Sequence, residues 1–393
     1  MKILFALTYY RPHISGLTVY VQRLAEALAV RGHRVTMLTS RHDPALPERE
    51  TMGGVEVVRI PVAFRISKGV VMPTFPIRAF GMVRAHDIVI GNLPATPFEA
   101  VLLPFLARVV ARKPIVMVYH CDLNLPVTPF NRLVDGGVWL SNVVAGLLAN
   151  RLVAYTQDYA THSRLLKRFP KKRVVIPPPV ALPTPSPEQV EAFRRRFALQ
   201  GHCVVGFVAR FATEKGVEFA LAALPLLRER LPHAMILFAG EYRKVIGEEA
   251  YWTRLEPLLR HHAAHWQFTG PLDPTDPTEL ASFYAACDVT ILPSINMTES
   301  FGLVQVESML AGTPVVATNL PGVRQPVLTT GMGRIVPVRD AVALAGAIVE
   351  IVQQRDTYRR PREFIAQVYS TARTADEYEG LLERLIASRA KSR

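Results

Sequence analysis

Cysteine is scarce in this chain of 393 residues. Cys121, Cys203 and Cys287 are odd in number and far apart, which argues against a disulfide framework or a cysteine-built metal site and fits a reducing cytosol. Long apolar runs are lacking as well. After Met1 and Lys2 the apolar stretch from Ile3 to Leu7 is too short for a secretory leader and reads as a first strand. A long uncharged stretch, Gly136 to Asn150, is interrupted by Ser141 and Asn142. It falls short of the roughly 20 apolar residues that a spanning helix needs. A G-x-G-x-x-G fingerprint is also missing. Only Gly16 stands in the first strand-to-helix loop, so a nicotinamide-dinucleotide site is not indicated.

What is present is length, apolar content and basic charge. The chain is long for one domain and comfortable for two, and 49% hydrophobic residues suffice for sizeable cores. The net charge of +13 is not spread evenly. Before Pro178 there are 23 Lys and Arg against 10 Asp and Glu; after it the counts are 23 and 23. Such asymmetry points to a basic face that meets something acidic.

In order along the chain, Lys2 to Leu7 reads as a strand, Leu17 to Val30 as an amphipathic helix and Val35 to Thr39 as the next strand. This is a βαβ opening of the length a doubly wound sheet uses. Phe64 to Arg84 mixes apolar residues with Arg65, Lys68, Arg78 and Arg84, and reads either as a membrane-surface segment or as an irregular packed loop. Asp87 to Gly91 and Pro114 to Tyr119 are two further strands. The second ends in His120-Cys-Asp122, at a strand's carboxyl end, where doubly wound sheets place their sites. Arg164, Lys167, Arg168, Lys171, Lys172 and Arg173 form a basic cluster, which also suits a merely solvated face. The prolines from Pro177 to Pro187 mark a linker. A second βα series follows, with a strand from Cys203 to Ala209, then Arg210 and Lys215-Gly216, and a helix from Val217.

The stretch from Thr290 to Thr318 is the most informative. Val289 to Leu292 is a strand, a polar loop holds Thr298, Glu299 and Ser300, and Leu303, Val306 and Leu310 fall at helical spacing. Gly312 stands at the expected C-terminal cap, and Val315 resumes a strand. The helix N-terminus around Ser300 to Leu303 offers backbone N–H groups to an anion. Glu299 and Glu307 lie eight positions apart. A capping Glu299 with a solvated Glu307 accounts for that spacing without any site.

E-S-F-G-L-V-Q-V-E followed by G-T-P-V-V-A-T resembles the Glu-x7-Glu signature of the retaining, GT-B-fold glycosyltransferases of family 4. The resemblance spans essentially the whole chain and is strongest from Val205 to Val338. It implies an α/β GT-B fold, two doubly wound Rossmann-like domains facing across a cleft. Residues 1–178 would form the acceptor-side domain and 179–365 the nucleotide-sugar domain, with a helix in 366–393 returning onto the first. Arg210 and Lys215 would clamp the donor diphosphate. Glu299 would hold a sugar hydroxyl beside Ser300, Phe301, Gly302 and Leu303, and Glu307 would bind the ribose. Leu272 would lie on the nucleobase side, Gly16 near the donor phosphates, His120 beside the transferred sugar and Asp122 towards the acceptor.

The implied activity is hexosyl transfer with retention, from a UDP- or GDP-linked sugar to a lipid, lipid-linked or saccharide acceptor. Neither a cofactor nor a metal is expected, and the chain holds no Asp-x-Asp motif. No nucleic acid is expected as partner. An anionic membrane surface is, met at the cytoplasmic face by the cluster from Arg164 to Arg173. Rival readings are a GT-B-fold sugar-nucleotide epimerase or phosphorylase, and a non-catalytic sugar-nucleotide-binding subunit.

Overall fold

A computed structural model of the chain describes residues 1–66, 69–124, 129–273 and 276–391. Met1–Pro179 together with Ser370–Arg393 form one compact unit, and Val180–Tyr369 form the other. The boundary falls within the proline-rich stretch.

The first unit opens with β1 (Lys2–Ala6), α1 (Gly16–Val30), β2 (Arg34–Arg41), β3 (Arg49–Met52) and β4 (Val55–Pro61). A short hairpin, β5 (Phe64–Ile66) and β6 (Gly69–Val71), leads into α2 (Phe75–Ala85) and β7 (Ile88–Leu93). Then come α3 (Pro97–Phe105), β8 (Ile115–Tyr119), α4 (Pro129–Leu148), β9 (Arg151–Ala154), α5 (Gln157–His162) and β10 (Arg173–Val175). Among the described residues the sheet runs β10-β9-β8-β7-β1-β2-β4-β3, parallel except for β3 on the edge. The central strands β1, β7 and β8 are buried almost throughout, as a parallel sheet covered on both faces requires. Strand order reverses at β1, which lies between β7 and β2.

The second unit holds α6 (Pro187–Arg196), β11 (Cys203–Val208), α7 (Val217–Arg230), β12 (Ala234–Ala239), α8 (Glu249–His261) and β13 (Trp266–Gly270). It continues with α9 (Pro277–Ala286), β14 (Val289–Leu292), α10 (Leu303–Leu310), β15 (Val315–Thr318) and α11 (Gln325–Thr330). β16 (Gly333–Val336), α12 (Ala341–Gln353) and α13 (Arg362–Val368) complete it. Its sheet runs β13-β12-β11-β14-β15-β16, all parallel among the described residues. Order reverses between β11 and β14. The core packs Phe207, Phe211, Phe238 and Trp266 against the apolar stripe of α7, Ala220, Leu221, Leu224 and Leu227.

The final helix, α14 (Thr371–Lys391), packs on α1 within the first unit. The buried hydroxyls of Tyr20 and Tyr378 lie 2.6 Å apart, and Arg31 reaches Asp376 at 2.7 Å and Glu379 at 2.9 Å. The first unit carries 28 Lys and Arg against 14 Asp and Glu, the second 18 against 19, so the whole net positive charge belongs to the first.

Phe64 to Arg84 is not an irregular loop. It is the β5–β6 hairpin followed by α2, which buries Phe75, Ala79 and Val83. Pro76 stands in the first turn of α2, where its missing N–H costs nothing. Lys68 lies outside the described residues.

Candidate functional site

In the second unit the loops after β11 and β14 leave adjacent strands at the point where strand order reverses, the usual binding edge of a doubly wound sheet. The loop after β11 carries Arg210 and a 3-10 turn from Thr213 to Lys215, closed by Gly216 at φ 68°. A Cβ on Gly216 would stand 2.2 Å from the carbonyl oxygen of Pro293, so only glycine lets this turn lie against the β14 loop. The N–H of Ile295 donates to the carbonyl of Glu214 at 3.0 Å and binds the two loops together.

That contact brings Lys215 to Glu299. Nζ donates to Oε2 at 2.6 Å, with the side chains 20% and 16% exposed. Burial alone would lower the lysine's pKa. The charge and hydrogen bond of Glu299, helped by Glu214, outweigh burial and raise it. Arg210 is more exposed and sits 3.2 Å from Glu214 Oε1. Thr213 is fixed by Glu248 Oε2, which accepts from its N–H at 3.0 Å and its hydroxyl at 2.7 Å.

α10 begins after Gly302, whose φ of 79° and contact with Leu292 leave no room for a side chain. Ser300 and Phe301 are buried just before it, Phe301 edge-on to Tyr369 at 5.5 Å, and Leu303 is its first residue. Gln305 donates to the carbonyls of Phe301 at 2.7 Å and Val323 at 2.9 Å, which fixes the approach to the helix. Glu307 is 5% exposed and accepts from the Tyr284 hydroxyl at 3.2 Å. Glu299 therefore does not cap the helix and Glu307 is not solvated. Leu272 lies in the loop after β13, half-buried. Arg210, Lys215, Leu272, Glu299 and the start of α10 thus stand on carboxyl-end loops of one sheet.

In the first unit Gly16 is the first residue of α1, behind Ser15, whose Oγ accepts from Thr18 N at 3.1 Å and caps the helix. A Cβ on Gly16 would meet no protein atom within 4 Å. His120 is buried at the end of β8. Asn92 Nδ2 donates to the carbonyl of Ala6 at 2.8 Å, so Asn92 presents its oxygen to His120 Nε2, also at 2.8 Å. Nε2 must then carry the proton, and Nδ1 accepts from the Tyr155 hydroxyl. Burial pushes the imidazole down to about 3, so it is neutral. Both ring nitrogens bond to protein partners, which fixes the ring at the ends of β7 and β8.

The carboxylate of Asp122 is likewise taken up by the fold. Oδ1 accepts from Tyr119 at 2.6 Å and Ser163 at 3.0 Å, and Oδ2 from the Arg164 N–H at 3.0 Å. This anchors the turn after α5. The basic cluster divides. Arg164, Lys167, Arg168 and Lys171 are exposed. Lys172 Nζ donates to the carbonyls of Gly146 at 3.0 Å and Leu147 at 2.6 Å, and Arg173 to that of Ala160 at 2.8 Å. These two cations satisfy carbonyls in the last turns of α4 and α5.

Sequence reasoning missed Asn92, Tyr155 and Glu99. Glu99 Oε2 accepts from Thr8 at 2.7 Å and Thr96 at 2.8 Å, joining the loops after β1 and β7. Burial raises its pKa against the pull of both hydroxyls. Thr-x-x-Glu from Thr96 to Glu99 is a capping-box spacing that marked this turn. Asn92 and Tyr155 gave no local signal.

Residues 202–354 match the family described as glycosyl transferases group 1, and residues 15–179 match the glycosyl transferase 4-like domain. The chain belongs to the group 1, family 4-like glycosyltransferases. It is 28% identical over 355 residues to the phosphatidyl-myo-inositol mannosyltransferase of Mycolicibacterium smegmatis, covering 86% of this chain and 81% of the relative. It is 33% identical over 243 residues to the D-inositol 3-phosphate glycosyltransferase of Geodermatophilus obscurus, covering 58% and 51%. HepE of Anabaena, solved in complex with UDP and with UDP-glucose, shares the fold with a TM-score of 0.77 at 19% identity, over 98% of this chain and 100% of that one. The GT-B fold follows from these likenesses, and the glycosyltransferase is an enzyme of sugar transfer.

Proposed function

We propose that this glycosyltransferase moves a hexosyl group, with retention at the anomeric carbon and without a metal, from a UDP- or GDP-linked sugar to an anionic lipid or lipid-linked acceptor. The observation that carries the donor half is the Lys215–Glu299 pair at the start of α10. A cation and a carboxylate that neutralise each other here can exchange partners when the donor arrives. Lys215, with Arg210, turns to the diphosphate, and Glu299 accepts from a sugar hydroxyl. The leaving nucleoside diphosphate gains negative charge as the glycosidic bond breaks, so these cations act mainly on the transition state. The N–H groups at the start of α10 add to that field. Glu307 takes the ribose hydroxyls, and Leu272 borders the base.

The acceptor half rests on charge and likeness. All of the net positive charge lies on the unit that carries Gly16 and His120. Two relatives are named for inositol-bearing acceptors, one of them a phospholipid. An anionic head group suits both. Cytoplasmic work at a membrane surface follows from that choice.

A thermal-shift panel of UDP, GDP and their sugars tests the donor, because a ligand of the folded state raises its apparent stability. Incubating the stabilising sugar nucleotide with inositol phospholipid vesicles, and separately with soluble inositol phosphates, identifies the acceptor. Transfer to the lipid supports the reading, and transfer only to the soluble phosphate overturns its lipid part. Activity abolished by excess chelator would overturn metal independence, and an inverted anomer in the product would overturn retention.

A further inference from the structure

The uncharged stretch that is too short to span a membrane lies largely in α4, a helix of 20 residues. Leu133, Leu140 and Leu147 on this helix are 75%, 60% and 63% exposed. Seven residues are nearly two turns, so the three form one line about 21 Å long. Gly136 and Gly137, which fall between them, are exposed as well. Beside this line stands Trp139, with the guanidiniums of Arg164 and Arg168 each 4.9 Å from its ring. Arg164 is held further by Asp135 at 3.2 Å. An apolar line bordered by stacked, preorganised cations is the chemistry of a water–lipid boundary, where aromatic rings sit at head-group level.

We propose that this face of α4 docks on an anionic bilayer, with the leucines entering the acyl boundary and the two guanidiniums on lipid phosphates. A second copy of the chain fits less well. Leucines at heptad spacing also mark coiled coils, but the positions three and four after Leu133, on the same face, are the glycines Gly136 and Gly137, and Arg164 and Arg168 would approach their own copies across a two-fold axis. Bilayer charge complements both arginines. The inference deepens the lipid-acceptor reading and rests on it, while the donor site plays no part.

Sedimentation with phosphatidylcholine vesicles, with and without phosphatidylglycerol, across a salt series tests it. The proteins are the wild type, a Leu133→Gln/Leu140→Gln/Leu147→Gln variant and an Arg164→Gln/Arg168→Gln variant. The wild type should bind the anionic vesicles. The leucine variant should bind about 10²-fold more weakly at every salt concentration. The arginine variant should lose roughly tenfold or more, mostly at low salt. Both variants should keep the wild-type circular dichroism and the wild-type thermal shift with UDP or GDP, which excludes misfolding. Absence of wild-type binding, a leucine variant that sediments like the wild type, or a leucine-dependent dimer without lipid overturns the docking surface. A missing nucleotide shift beside intact vesicle binding overturns the donor assignment alone.

Discussion

Lys215 and Glu299, 84 positions apart in sequence, are joined by a 2.6 Å hydrogen bond across two loops that leave neighbouring strands. Each is mostly enclosed, so each depends on the other for its charge to be tolerated. In a denaturation double-mutant cycle, Lys215→Ala and Glu299→Ala should couple by about 1 kcal/mol, discounted for their residual exposure. Saturating nucleoside diphosphate should reduce that coupling as the lysine turns to phosphate. Coupling unchanged by a bound nucleotide would count against the exchange of partners.

The two carboxylates of α10 and its approach should separate in binding. Glu307→Ala should weaken binding of the bare nucleoside diphosphate by about tenfold, the scale of losing a charged hydrogen bond. Glu299→Ala should leave that binding nearly unchanged and damage sugar transfer. Calorimetry and turnover with the reverse pattern would exchange the two roles. Tyr284→Phe removes the donor to Glu307 and should give a smaller loss of the same kind as Glu307→Ala.

His120 predicts a pH dependence of stability. Its folded value, about 3, lies below the ordinary 6.5, so the unfolded chain binds the extra proton first as pH falls. The stabilisation is fully present above pH 6.5 and is lost progressively from there towards pH 3. Between pH 7 and pH 5 this site should cost the wild type about 2 kcal/mol that a His120→Gln variant does not lose. Parallel stability profiles of the two proteins would show that the imidazole is not held neutral.

Gly216→Ala should be damaging although it adds one methyl group. The site has φ 68°, and the new Cβ would meet the Pro293 carbonyl. A cost of about 1–3 kcal/mol is expected, with loss of nucleotide binding as the two loops part. A variant of wild-type stability and wild-type nucleotide affinity would mean that the loops do not depend on this contact.

Much of this was legible in the sequence because it is local. Val289 to Leu292, the polar loop, the helix after Gly302 and Gly312 announce themselves by period and cap. Arg210, Lys215 and Glu299 could be named as candidates because they follow strands in loops, and Glu307 because it repeats Glu299 eight positions on, inside the helix. The partners were not legible. Neither Glu299 with Lys215 nor His120 with Asn92 and Tyr155 has a local signature, since each pairing is made by strands brought side by side. For the same reason Lys172 and Arg173 looked like surface charge. Their task, holding helix carbonyls 13 or more residues earlier in sequence, exists only in the folded unit. The exposed line on α4 went unread because an apolar residue in a helix is ordinarily assigned to the core.

Calorimetric titration of UDP and GDP into the wild type, Arg210→Ala and Lys215→Ala tests the central claim most directly. A diphosphate held at the start of α10 requires that one of the two nucleotides bind the wild type. Each variant should then bind it about tenfold to hundredfold more weakly, with its fold intact. Wild-type affinity in both variants, or no binding of either nucleotide to the wild type, would contradict the account.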